Sequence, residues 1–220
     1  MYQRPQSTAD LPRTVPVFPL NGALLLPRTN RPLNVFEPRF IAMVDDALAG
    51  HRLIGLVQPR NTSEEAPAGP VPLREIGCLG RITHFEETDD DRYLIVLTGV
   101  CRFELGEELA VNTPYRQFGI STGRFAADFV DDDSDQGVDR ERFVSAMRSY
   151  ADFASLEVNW DEVAQTGTAD LVNLCSMLSP YGAAEKQVLL EAPSLLVRAE
   201  TLIALAEMEM ARSKSGHVLQ

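Results

Sequence analysis

At residue 130 the hydrophobic period of this 220-residue chain changes from that of strands to that of helices, and the run D-D-D-S-D-Q-G at 131–137 marks the change. Before it, apolar residues come in short, proline-bounded runs: Val15 and Val17 between Pro16 and Pro19, 24–26 ending at Pro27, and 53–57 closed by Pro59. Such runs predict strands, with proline at positions where a sheet edge needs no donor. After it, Phe143, Val144, Met147, Tyr150, Ala151 and Ala154 make one helical face. Leu171, Leu174, Cys175 and Leu178 make a second, and Leu195, Ala199, Leu202, Ala206 and Met210 a third. Two periods require two ways of burying apolar surface, so the expected class is α+β: a β-rich domain followed by a helical bundle of about four helices.

The boundaries follow. Residues 1–13 are a flexible N-terminal segment, 14–128 the β domain, 129–137 an acidic linker, 138–212 the bundle and 213–220 a tail. Inside the β domain one helix is predicted. Phe40, Met43, Val44, Ala47 and Leu48 share a face, Pro38 suits the first turn and Gly50 the carboxy-terminal cap. This helix should plug one end of a barrel. A polar loop is expected over 61–72, then a hairpin of 76–85 and 93–100 around E-E-T-D-D-D-R. Cys101, Phe103 and Leu105 alternate with Arg102 and Glu104, and 93–97 is apolar on both faces, which implies a strand covered from both sides. A further strand is expected between Tyr115 and Phe125, and Ser194 after Pro193 should cap the last helix.

Charge narrows the partners. The chain carries 32 acidic and 20 basic residues, for a net charge of −12. The second part is the more acidic, with 16 acidic and 7 basic residues over 129–220 against 16 and 13 over 1–128. This balance repels phosphate backbones and anionic membranes, and no Lys/Arg run offsets it, so neither nucleic acid nor membrane is an expected partner. No apolar stretch approaches the roughly 18 residues of a membrane span, which predicts a cytoplasmic protein. Cys78, Cys101 and Cys175 fit neither a disulfide framework nor paired zinc ligands and read as small buried hydrophobes.

Several strings imitate chemistry. Gly119-Ile120-Ser121-Thr122-Gly123 matches the G-x-S-x-G elbow, but an elbow needs a following helix and a downstream histidine, and the only one downstream is His217 in the tail. Asp131, Asp133 and Asp135 resemble a calcium loop, yet Gln136 stands where glycine belongs and Arg142 where a bidentate glutamate is required. His51 and His84 lie far from each other and from any cysteine. Neither common glycine-rich phosphate loop is present. The reading is therefore no catalytic residue, no metal and no cofactor.

Three blocks resemble one family. They are T-V-P-V-F-P-L-N-G-A-L-L-L-P-R-T-N-R-P-L-N-V-F-E-P-R-F from Thr14; R-E-I-G-C-L-G-R-I-T-H-F, with G-x-x-R at Gly99 and Arg102; and the helical block with E-K-Q-V-L-L-E at Glu185 and R-A-E-T-L at Arg198. In that order they resemble the amino-terminal, substrate-recognition domain of Lon-type proteases. The resemblance implies a PUA-like β pseudo-barrel followed by a helical bundle, and recognition of unfolded or tagged polypeptides. The family's ATPase and Ser/Lys peptidase lie in other domains, so the expectation is a standalone, non-enzymatic adaptor or holdase.

Extended peptides bind such modules by pairing with a strand edge while side chains enter shallow pockets. The candidate peptide-binding residues are Leu25, Leu26, Phe36, Arg39 and Tyr93, with Phe40 beside them and Glu37 paired to Arg39. The expected partners are unfolded or extended polypeptide segments or a protein partner. Two alternatives are a structural or oligomerisation module acting through the last helix, and a serine hydrolase using Ser121.

Overall fold

The computed structural model describes residues 5–60, 70–90, 92–130 and 137–216, and the chain divides into two compact units, Met1–Asp131 and Asp132–Gln220. The first unit holds β1 (Thr14–Pro19), β2 (Asn30–Val35), α1 (Pro38–Ala49), β3 (Leu53–Val57), β4 (Ile76–Glu87), β5 (Tyr93–Glu108) and β6 (Gln117–Ser121). The strand order is β2-β5-β4-β3-β1-β6, and β6 also pairs with β5, which closes the sheet on itself. One long strand makes that closure possible: β5 meets β2 along Tyr93–Thr98 and β6 along its far end, with Glu104 opposite Ser121. β2 has β5 as its one strand neighbour among the described residues.

The second block of the resemblance supplies the barrel's close contacts. A Cβ on Gly77 would lie 2.7 Å from the Phe103 ring, and one on Gly99 would collide with the Leu26 carbonyl. Glycine is needed there because backbone and ring occupy the space of a side chain. Leu24, Leu25 and Leu26 are buried in this core, but as irregular chain and not as the expected strand. Thr29 replaces the ladder. Its hydroxyl accepts from the Leu26 N–H at 3.1 Å and donates to the Leu26 carbonyl at 2.7 Å, satisfying both groups in the interior.

Other expectations need correcting. N-R-P-L-N-V forms β2, where Pro32 is accommodated because an edge strand has an unpaired side. Arg102 does not share an exposed face: it is buried, with its guanidinium 2.7 Å from Asp128 and 4.7 Å from the Phe125 ring centroid. The start of β5 is covered on one face only, and Leu94 is exposed. Within the segment expected to be flexible, Thr8–Asp10 forms a 3-10 turn, and the Asp10 carboxylate accepts from the backbone N–H groups of Gln6 and Ser7. Residues 61–69 of the loop expected over 61–72, the Asp131, Asp133 and Asp135 run, and His217 lie outside the described residues.

The helix α1 begins as predicted, with Pro38 in its first turn, and ends at Gly50. Phe40 packs on Phe18 of β1 with ring centroids 4.3 Å apart. Two tyrosines fasten the helix. Tyr93 donates to Asp45 at 3.1 Å and Tyr115 to Asp46 at 2.6 Å.

The second unit contains α2 (Arg140–Phe153), α3 (Trp160–Gln165), α4 (Thr168–Leu178), α5 (Ala183–Glu191) and α6 (Leu195–Gly216). That is one helix more than about four. The extra one, α3, has six residues and buries none of them, so it leaves little hydrophobic signal; Asn159 caps it. The faces expected on α2 and α6 do supply core residues, including Phe143, Tyr150, Leu195, Leu202 and Ala206, and the Ser194 hydroxyl caps α6 at the Val197 N–H. The α4 face is rotated from the expected one: Leu171, Val172, Ser176 and Met177 are buried, whereas Leu174 and Leu178 are exposed.

The third family block works as a latch in this unit. Arg198 is buried and donates to the Leu189 carbonyl and to Asn173 Oδ1, each at 2.9 Å, joining α6 to α5 and α4. Buried Lys186 points Nζ at the Met177 carbonyl, 3.5 Å away in the last turn of α4, where carbonyl dipoles favour a cation.

Candidate functional site

The end of the first unit bordered by α1 carries Phe36, Phe85 and Leu94, three exposed apolar side chains. Here β2 runs into the first turn of α1, and the β4–β5 hairpin extends beside it, Val35 pairing with Tyr93. Phe36, just past β2, is 63% exposed; Phe85 and Leu94 on the hairpin are 38% and 40% exposed. Phe85 and Tyr93 meet edge to face at 4.8 Å, and Arg92 from the hairpin turn lies 5.9 Å from the Phe36 ring centroid. Phe85 and Tyr93 share one face of the hairpin and Leu94 turns to the other, and Phe36, Phe85 and Leu94 each leave apolar surface available to a second chain.

Charged groups border the aromatics. Arg39 pairs with Glu37 at 2.7 Å and also covers the Phe40 ring at 4.4 Å. Both members of that pair are half exposed, so the pair orients side chains and adds at most about 1 kcal/mol of stability. Partial desolvation, then the hydrogen bond to Asp45, raises the Tyr93 phenol above its ordinary range, keeping it a neutral donor. The neighbouring turn is acidic, with Glu86, Glu87 and Asp90, and Asp90 pairs with Arg92 at 2.9 Å.

Of the five candidate residues, Phe36, Arg39 and Tyr93 all border α1. Leu25 and Leu26 do not join them, because both are buried in the barrel core. Phe85 and Leu94 were missed. Leu94 sits in Y-L-I-V-L, where its apolar neighbours imply cover on both faces; the signal that could have separated it is the acidic turn directly preceding this run.

The other strings that imitate chemistry are spread over the molecule. Ser121 ends β6 opposite Glu104 and is exposed, and the chain continues into a 3-10 segment, Gly123–Phe129. His51 and His84 are exposed, the latter 3.8 Å from Glu86. Among the described residues no group of three or more His, Cys, Asp or Glu side chains could hold a metal ion. No helix among them is long and apolar enough to cross a membrane. Burial raises the thiols of Cys101 to about 12 and Cys175 to about 11, so neither is a ready thiolate at neutral pH.

Comparison with known proteins places this geometry. A family model described as the ATP-dependent protease La (LON) substrate-binding domain matches residues 14–207. Similar curated proteins include the Lon protease of Desulfosudis oleivorans, 30% identical over 46% of this chain and 12% of that protein. Lon protease 2 of Myxococcus xanthus is 33% identical over 48% of this chain and 13% of its own length. The alignments thus span about an eighth of those relatives. Among solved structures, a Lon N-terminal domain protein from Xanthomonas campestris matches with a TM-score of 0.60 at 21% identity, covering 87% of this chain and 97% of that one. The N-terminal domain of a Mycobacterium avium complex Lon protease matches at 0.62 and 16% identity, covering 88% and 98%.

Proposed function

The chain belongs to the Lon substrate-binding domain family, whose model covers residues 14–207, and from that premise we propose that its first unit binds extended segments of other polypeptides. The carrying observation is that Phe36, just past β2, and Leu94, on the neighbouring strand β5, are exposed beside an edge of β2 that has no further strand partner among the described residues. A visiting segment in extended form can pair with the free edge of β2 through backbone groups, which every sequence offers. Its apolar side chains then cover Phe36 and Leu94, giving preference for unfolded chains, where such side chains are exposed. Pro32 leaves that edge one donor short, which limits how tightly and how regularly another strand adds. Weak, sequence-tolerant capture is what an adaptor or holdase needs, and it requires no catalytic group.

The test is a titration of a fluorescein-labelled, permanently unfolded polypeptide, read by anisotropy. Saturable binding is expected, weakened about tenfold in a Phe36→Ser, Leu94→Thr double variant, roughly the loss of two exposed apolar contacts. Absence of binding across a panel of unfolded polypeptides contradicts the reading, and so does a double variant that binds as the parent does.

A further inference from the structure

The second unit has a cleft of about 340 Å³ that this reading does not use, bounded by α2, α3 and α4. Its floor is apolar, with Met147, Ala151 and Leu171, and its lips are apolar side chains left in solvent: Leu178 is 76% exposed and Leu156 48%. The volume falls within the range of roughly 300–1,000 Å³ seen for pockets that bind ligands. Leu178, like Leu174, is left in solvent by the same rotation of α4 that turns Val172 and Ser176 inward, and Leu156 comes from the segment between α2 and α3. The mouth is acidic. Glu157 and Glu162 both line it, while two nearby cations are engaged elsewhere, Arg148 stacked over Trp160 at 4.3 Å and Arg140 donating to the Val163 carbonyl at 2.7 Å.

Charge selects the occupant. A second copy would bring another unit with the same acidic excess to the same face, and like charges across an interface oppose docking. The chain's own 131–136 segment, D-D-D-S-D-Q, has four carboxylates and no apolar side chain, the wrong chemistry on both counts. We propose that the cleft docks a segment of a partner protein in which a bulky apolar side chain is flanked by lysine or arginine, the apolar group entering between Leu156 and Leu178 and the cations facing Glu157 and Glu162. This site is separate from the β2 edge, and the proposal does not rest on the first.

Trp160 is the chain's only tryptophan and lines the cleft, so its emission reports on occupancy directly. The probe is a synthetic peptide with a Phe-Leu core between paired lysines, compared with the same core between paired glutamates. The lysine peptide is expected to shift Trp160 emission saturably and to bind at least tenfold more tightly than the glutamate peptide. Glu157→Gln with Glu162→Gln should remove most of that preference. Leu178→Asp, at an exposed position and expected to leave the far-UV circular dichroism unchanged, should weaken binding at least tenfold, and the Phe36→Ser, Leu94→Thr variant should bind the peptide normally. No saturable shift, equal binding of the two peptides, or normal binding by Leu178→Asp overturns the proposal. Self-association abolished by Leu178→Asp also overturns it, because a second copy would then be the occupant.

Discussion

The two units solve the problem of fixing a fold in opposite ways. The β unit removes side chains where chains must touch: glycine at 77 and 99 lets the Phe103 ring and the Leu26 backbone close in. It buries the ion pair of Arg102 with Asp128. The helical unit instead inserts long polar side chains between helices, Arg198 and Lys186, whose donors satisfy carbonyls at helix ends. In both, the residues that carry the family resemblance are frame, and the surfaces proposed for binding carry no motif. Phe36 and Leu94 in one unit and Leu156 and Leu178 in the other are ordinary apolar residues distinguished by exposure.

That contrast can be broken at several points. Arg102→Ala strips the partner from a buried carboxylate and should cost about 3–5 kcal/mol, measured by urea unfolding. Gly99→Ala should cost up to about 3 kcal/mol, because the obstacle is backbone and cannot rotate away. Arg198→Met keeps the aliphatic volume while orphaning the Leu189 carbonyl and Asn173, for an expected loss of about 2 kcal/mol in the same assay. If Arg198→Met proves harmless, the latch account of the helical unit fails.

A pH titration sharpens the comparison, since each unit has a tyrosine that donates to a carboxylate and is pushed up to about 12: Tyr115 in the first and Tyr150 in the second. Desolvation and then Asp46 push Tyr115 up to about 12, and desolvation and then Glu209 do the same for Tyr150. Below the ordinary value of 10 both folded and unfolded chains hold these protons, so the stabilisation is complete. Between pH 10 and about 12 the unfolded chain releases them and the folded chain does not, so stability should fall as pH rises. Tyr115→Phe and Tyr150→Phe should each flatten the fall. Smallest of all, Phe36→Ser should change stability by less than about 0.5 kcal/mol, since the ring is already in solvent.

Local chemistry made much of the frame legible. Pro38 and Gly50 bracket α1, Ser194 caps α6, and the hairpin around the acidic turn pairs in the expected sense. Elements whose stability comes from elsewhere were not legible. β2 holds a proline and little apolar surface and exists because β5 offers an edge; α3 buries nothing. The run at 24–26 has strand composition, but Thr29 satisfies the Leu26 backbone in place of a neighbouring strand. For the candidate site, sequence found the aromatic residues bordering α1 but could not separate Leu25 and Leu26, buried, from Leu94, exposed. Hydropathy is the same for all three, and only the tertiary cover differs.

Amide hydrogen exchange of the chain with and without a saturating unfolded polypeptide tests the central claim most directly. Slowed exchange confined to Asn30–Val35, Phe36 and the Phe85–Leu94 hairpin is the predicted result. Binding that leaves those segments unchanged while protecting a different surface of the β unit would contradict it.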